Sequence, residues 1–337
     1  MTALPVVQHT DPSTLTRKDF VPSAEVKWCP GCVDYSILNQ VQKLLPTLGK
    51  PRENFVFVSG IGCSSRFPYY METYGMHSIH GRAPAIATGI KMSRPDLDVW
   101  LVTGDGDALA IGGNHFMHVL RRNVGIKVML FNNRIYGLTK GQYSPTSELG
   151  KHTKSTPMGS IDHPMEPVSV ALGVGATFIG RAMGNDGTQL YEVLRRASLH
   201  KGTAFIEIFT NCVIFNDGAF DQYTTDKAEQ QIQMVHGQPL RFGKDLAKGI
   251  AIDKHGRPQI VAGDDPNVLI HDEGSDALSY LLARMHPPEF PMAFGVFRAV
   301  ERPTYEEMAR QQTEQARAKK KPDLRALIES GETWTVK

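Results

Sequence analysis

The chain has 337 residues, 41% of them hydrophobic and 21% charged, which is enough for about two domains or one large α/β domain with an appendage, and is not the composition of a disordered or fibrous protein. Lys+Arg 37 against Asp+Glu 35 leaves a formal charge of +2, too little for the basic field that holds a nucleic-acid backbone. No run approaches the roughly 20 apolar residues of a membrane span, and the first twenty residues lack the basic start and apolar run of a secretion signal, so a cytoplasmic protein without membrane contact is expected.

Along the chain, short apolar runs alternate with amphipathic ones. The pattern predicts helices over 33–45, 84–92, 114–122, 166–172 and 187–199, between strands over 54–59, 98–103, 127–132, 177–181 and 203–210. The runs VFVS, VWLVTG, KVMLF and AFIEIF are apolar on both faces, so the sheet is expected to be parallel and covered on both sides, an α/β doubly wound arrangement. After about Phe215 the period is lost and 216–241 is polar and Gln-rich. The expected division is an N-terminal arm over 1–25, a sheet domain over 26–215 and a C-terminal extension over 216–337. The extension ends in a charged helical tail over 305–329, in which Lys319, Lys320 and Lys321 read as a solvated face.

The cysteines number four: Cys29 and Cys32 in WCPGC, then Cys63, 31 residues on, and Cys212, 149 further. Four thiolates suit one 4Fe-4S cluster or one zinc ion, and the CxxC alone suits a thioredoxin-like redox pair. Zinc normally takes its ligands as two close pairs, whereas a cluster accepts scattered thiolates if the fold gathers them. Cys63, in GIGCSSR, and Cys212, after AFIEIFTN, both follow predicted strands at the carboxyl edge of the sheet, where open α/β folds place ligands. Trp28 and Ile61 could shelter the sulfurs.

The strand DVWLVTG runs into GDGDALAIGGNH, and 28 residues after Asp105 a second strand has ended in Asn132 and Asn133. Mg²⁺ takes six hard oxygens and usually keeps phosphate oxygens among them. The Asp105 carboxylate, the Asn133 amide oxygen and the Ile135 backbone carbonyl would supply three, and a diphosphate two more. Gly104 and Gly106 would let the backbone approach the phosphates. A GDG alone is also a common turn, but GDG after a strand with a strand ending in NN at this distance is specific. No GxxxxGK[ST] occurs and no GxGxxG opens a helix, which disfavours ATP and NAD.

The GDG to NN element resembles the thiamine-diphosphate motif. Together with WCPGC, GIGCSSR, HSIHGRAPAIATGIK and FNNRIYGLTKGQYSPTS it is similar to the beta subunit of 2-oxoacid:ferredoxin oxidoreductases, over roughly 28–215, with PTYEEM near Tyr305 also similar. The resemblance implies that Cys29, Cys32, Cys63 and Cys212 hold a 4Fe-4S cluster and that Asp105, Asn133 and the Ile135 carbonyl hold Mg²⁺. It also implies that Ile61, Gly62, Cys63, Ser64, His80, Gly106, Asp107, Leu138 and Thr139 contact thiamine diphosphate. His80 could instead be satisfied by nearby backbone, and Leu138 by packing. The implied reaction is CoA-dependent oxidative decarboxylation of a 2-oxoacid, or its reverse, with electrons passed through the cluster to ferredoxin. The carboxylate needed against the aminopyrimidine ring belongs, in that family, to another domain, so an alpha subunit is implied, as αβ or (αβ)₂. GCSSR looks like the 2-oxoglutarate branch, and Arg66 is a candidate counter-ion for that substrate's distal carboxylate. Pyruvate or another 2-oxoacid, a non-redox thiamine-dependent decarboxylase component, and a zinc-stapled subunit without catalysis are the alternatives.

Overall fold

The structure, a computed structural model, describes residues 10–319 and 322–336. The first nine residues of the expected arm, together with Lys320 and Lys321 of the tail, lie outside the described residues. The strands are β1 (Phe55–Ser59), β2 (Tyr74–His77), β3 (Asp98–Gly104), β4 (Ile126–Asn132), β5 (Phe178–Met183), β6 (Ala204–Phe209), β7 (Gln231–Met234), β8 (Arg241–Phe242), β9 (Lys248–Ile252), β10 (Pro258–Ala262) and β11 (Met292–Ala299). Helices α1 (Asp34–Leu44), α2 (Ala83–Ser93), α3 (Asp105–Leu109), α4 (Gly113–Arg122), α5 (Pro167–Gly173) and α6 (Gly187–Leu199) precede the short α7 (Asp221–Thr224) and α8 (Lys227–Gln230). After them come α9 (Asp276–Ala283), α10 (Tyr305–Lys319) and α11 (Leu324–Ile328).

Eight strands form one sheet in the order β2-β1-β3-β4-β6-β5-β11-β7, and β8, β9 and β10 form a small antiparallel one. All five predicted strands and all five predicted helices are present. Alternate residues of each strand feed opposite faces. Val58, Leu101, Val128 and Phe205 pack under α2, α4, α5 and α9, while Phe57, Trp100, Met129 and Ile206 pack under α1 and α6. Both faces are therefore covered, as a doubly wound sheet requires.

The sheet does not end at Phe215. Strand β11 pairs antiparallel with β5, and β7 pairs parallel with β11, so the sheet is mixed and its last two strands come from the expected extension. Ile232, Phe242, Ile250 and Leu282 of that extension join the same core as β4. Of the expected arm, residues 10–25 lie on the body, with the fully buried Phe20 ring set edge-on against Phe55. The tail is helical, and α10 is tied at its start by Glu306, which accepts from the Gly125 N–H, and by the Lys201–Glu307 pair. No helix of the described residues is long and apolar enough to cross a membrane.

Candidate active site

Four adjacent parallel strands, β1, β3, β4 and β6, release GIGCSSR, GDGD, NNRI and TNC at the same carboxyl edge. Sheet order alone thus gathers motifs that lie as far as 149 residues apart in the chain. They line two adjoining cavities.

The first, enclosing about 500 Å³ with its open mouth, is lined by Ile61, Gly62, Cys63, Ser64, His80, Asp105, Gly106, Asp107, Asn133, Ile135, Leu138 and Thr139. Every residue expected to meet Mg²⁺ or thiamine diphosphate is therefore on one wall. Asp105 is buried, and Ser144 Oγ and Thr146 Oγ1 donate to its Oδ2 at 2.5 and 2.6 Å. Burial pushes its carboxyl up and these hydroxyls pull it down. Its partners are hydroxyls and backbone amides, not cations, so a buried carboxylate at the cleft wall stands ready for a metal ion. Arg134, at φ +55°, turns the chain so that Asn133 and Ile135, on either side of it, both face the cleft. The Arg134 guanidinium lies 4.8 Å over the Phe220 ring, and Asn216 Nδ2 donates to the Asn133 carbonyl at 2.9 Å, so chain beyond Phe215 secures this turn.

Asp107 lines the same cleft and also ties its loops together. Its Oδ1 accepts from the N–H groups of Ile61 (3.1 Å) and Gly81 (2.8 Å) and lies 2.5 Å from His80 Nδ1, while Oδ2 accepts from Thr103 Oγ1 at 2.7 Å. The carboxylate is committed to holding three loops together. A Cβ on Gly60 would stand 1.9 Å from Asp107 Oδ2, which explains a glycine there. His80 is held by this carboxylate rather than by backbone. A carboxylate only accepts, which places the imidazole proton on Nδ1 and leaves Nε2 for a cofactor.

The second cavity, about 770 Å³, contains all four cysteines, with Trp28, Asp34, Arg66, Asn133, Gly137 and Leu138 among its other walls. The four thiols are free; Cys29 is exposed and the others are half-buried. Gly31, at φ +83°, makes the CPGC turn, which rests against Val213 beside Cys212. A Cβ on Gly137 would lie 3.5 Å from Cys212 Sγ and 3.6 Å from Cys63 Sγ, so a side chain there would enter the space between two sulfurs. Trp28, nearly buried, donates from Nε1 to the Cys63 carbonyl at 2.7 Å. Burial pushes the Cys63 thiol up to about 11, and the charges of Asp34, Cys212 and Cys29 add to it, with Arg66 opposing. Four thiolates would repel one another here without cations among them. Among the described residues no three His, Cys, Asp or Glu side chains are drawn together tightly enough for one metal ion.

Arg66 does not line the thiamine cleft. Cys63 caps a 3-10 helix, Ser64–Tyr70, in which side chains three apart eclipse, so Arg66 shares the face of Cys63 and borders the cysteine cavity. Its Nη1 donates to the Lys27 carbonyl at 3.3 Å. Asp34, Cys63, Asn133, Gly137 and Leu138 line both cavities and form the wall between them. Sequence reasoning missed Ser144, Thr146 and Asp34. The first two sit in a run of hydroxyl residues with no distinguishing spacing, and an acid two residues after Cys32 reads as an ordinary first-turn helix residue.

Residues 60–208 match the family described as thiamine pyrophosphate enzyme, C-terminal TPP binding domain. The chain is 53% identical over 331 residues to "2-oxoglutarate oxidoreductase subunit KorB" of Mycobacterium tuberculosis, covering 95% of this chain and 88% of the relative. It is 46% identical over 192 residues to "2-oxoacid:ferredoxin oxidoreductase subunit beta" of a Sulfolobus species, covering 56% of this chain and 63% of that one. Among solved structures, the 2-oxoglutarate:ferredoxin oxidoreductase from Magnetococcus marinus with 2-oxoglutarate, coenzyme A and succinyl-CoA bound is similar, with a TM-score of 0.78, 32% identity and coverage of 95% and 97% of the two chains.

Proposed function

The chain belongs to the 2-oxoacid:ferredoxin oxidoreductase family as a beta subunit, and from that premise we propose that, joined to an alpha subunit as αβ or (αβ)₂ in the cytoplasm, it carries out CoA-dependent oxidative decarboxylation of 2-oxoglutarate to succinyl-CoA and CO₂, or the reverse, with ferredoxin as electron partner. The observation that carries the proposal is the common wall between a carboxylate-bearing cleft and a four-cysteine cavity. Both relatives named for 2-oxoglutarate support the choice of substrate.

Asp105, the Asn133 side chain and the Ile135 carbonyl would hold Mg²⁺ against a diphosphate, with Gly104 and Gly106 permitting close backbone approach. Ile61, Gly62, Ser64, His80, Leu138 and Thr139 would line the rest of the cofactor's path, with Asp107 holding their loops in place. Cys29, Cys32, Cys63 and Cys212, which line one cavity, would hold the 4Fe-4S cluster, a reading supported by membership of a ferredoxin-linked oxidoreductase family. Bound thiamine diphosphate would supply a nucleophilic carbon and an electron sink for decarboxylation, and the cluster one-electron transfer. Trp28 shields the cysteine side from water. The naming of the relatives as KorB and beta subunits supports the need for an alpha subunit.

The test is anaerobic purification of the chain together with its alpha subunit, followed by absorption spectra, metal analysis and CoA-dependent reduction of a dye with either 2-oxoglutarate or pyruvate. Iron, a broad visible band and preference for 2-oxoglutarate are expected. Zinc without thiamine binding would support the scaffold reading, decarboxylation without iron the non-redox one, and equal rates on pyruvate would remove the substrate assignment. Because Arg66 faces the cysteines, Arg66→Met is expected to leave the ratio of the two kcat/KM values within about threefold of wild type. A swing toward pyruvate of the size of a lost charged hydrogen bond, about tenfold or more, would return Arg66 to the substrate.

A further inference from the structure

Beneath the metal loop, in the middle of the sheet, Arg181 on β5 and Glu207 on β6 stand in register and are buried, with Arg181 Nε 2.7 Å from Glu207 Oε2. The Arg181 guanidinium lies 5.4 Å from the Phe209 ring and 5.2 Å from that of Phe297, its Nη1 donates to Met292 Sδ at 2.9 Å, and its Nη2 lies 3.9 Å from Glu166 Oε2 in a longer ion pair. Such a pair is a costly way to fill a sheet interior, since apolar residues of the same volume usually serve stability as well or better. Its other contacts show what it is placed to do. Glu207 Oε1 accepts from Asn132 Nδ2 at 2.8 Å. Asn132 Oδ1 in turn accepts from the Arg134 N–H at 3.2 Å and lies 2.9 Å from Thr146 Oγ1, which is 2.6 Å from Asp105 Oδ2.

We propose that the buried Arg181–Glu207 pair is a positioning device that orients, through Asn132, the turn presenting Asn133 and Ile135, and so sets the affinity of the diphosphate site for its divalent cation. The proposal deepens, and rests on, the reading of Asp105, Asn133 and Ile135 as the Mg²⁺ ligands. The two ends of an Asn amide are alike in shape, and only an acceptor that cannot donate selects the NH₂ end. The Glu207 carboxylate, paired with Arg181, is such an acceptor. It turns the Asn132 oxygen toward the Arg134 N–H, fixing the turn that carries Asn133 and Ile135. Arg181 and Glu207 are positioning residues and touch no ligand.

The test uses the assembled alpha and beta subunits and calorimetric titration of thiamine diphosphate at a series of Mg²⁺ concentrations, with thermal melts alongside. The double variant Arg181→Met/Glu207→Leu removes both charges while keeping volume, and Asn132→Leu breaks the chain while leaving the pair intact. Each is expected to raise the Mg²⁺ midpoint roughly 10- to 100-fold, the usual cost of losing a group that orients a metal ligand. Saturating Mg²⁺ should restore the affinity for the diphosphate, a rescue that general structural damage would not allow. An unchanged Mg²⁺ midpoint in either folded variant overturns the proposal. If the double variant does not fold, Asn132→Leu decides alone. Wild-type protein that binds thiamine diphosphate independently of Mg²⁺ would instead overturn the reading of Asp105, and the proposal with it.

Discussion

Asp105→Ala is expected to weaken Mg²⁺-dependent binding of thiamine diphosphate by at least about 100-fold, the scale of roughly 3 kcal/mol set by removing one member of a buried charge pairing. Asp105 is the only carboxylate in the proposed metal shell, and it sits at the cleft wall with hydroxyls from Ser144 and Thr146 converging on one oxygen. Loss of the acceptor strands those two hydroxyls, but loss of the buried charge also relieves a desolvation penalty, and the two effects oppose. The melting temperature without ligand should therefore move little, whereas the rise that thiamine diphosphate produces by mass action should vanish. Cluster absorption should survive. Calorimetric titration in the presence of Mg²⁺ checks this, and wild-type affinity in the variant would contradict the assigned role.

Cys212→Ala should show the reverse pattern. Its backbone is held independently of its sulfur, since Cys212 and Asn216 form an isolated bridge in which the Asn216 N–H donates to the Cys212 carbonyl at 2.9 Å. The substitution therefore removes a thiolate and little else. Iron per chain and the visible band are expected to fall together by more than about half after anaerobic purification, because the proposed cluster would lose one of its four ligands and become labile. Cys212 does not line the thiamine cleft, so diphosphate affinity should hold. Full iron content in the variant would remove Cys212 from the ligand set. Opposite outcomes for the two variants would separate the metal loop from the cysteine cavity, which spectra of the wild type alone do not do.

Strands β1, β3, β4, β5 and β6 were legible because they are apolar on both faces and alternate with helical runs, so local pattern and global topology agree. The gathering of the motif loops was legible for a related reason: loops leave the carboxyl ends of parallel strands, and finding the strand finds the loop. Strand β2 was not, since YGMH is exposed at all four positions and pairs by backbone alone at the sheet edge. Nor was β7, four residues with two glutamines, which becomes a strand because β11 lies beside it. Arg66 was misplaced for want of a local period: counted along a loop it borders the thiamine cleft, but a 3-10 turn rotates it onto the face of Cys63. Asp107 looks like Asp105 in GDGD. Only the donors converging on it from Ile61, His80, Gly81 and Thr103, three of them remote in sequence, show that it also fastens the loops of the cleft it lines.

The stack of Arg134 on Phe220, and its Nη2 bond to the Tyr223 hydroxyl 89 residues later in the chain, impose an order on biosynthesis. The turn that presents Asn133 and Ile135 leaves the ribosome well before the residues that brace it, and β5 emerges long before β11 can cover its edge. During that interval the nascent chain carries an unbraced loop and an open strand edge of the kind that recruits neighbouring chains. A fragment ending at Phe215, which the sequence invites as a minimal thiamine domain, would keep both defects permanently. It should collect in the insoluble fraction on expression, while the full chain stays in the supernatant.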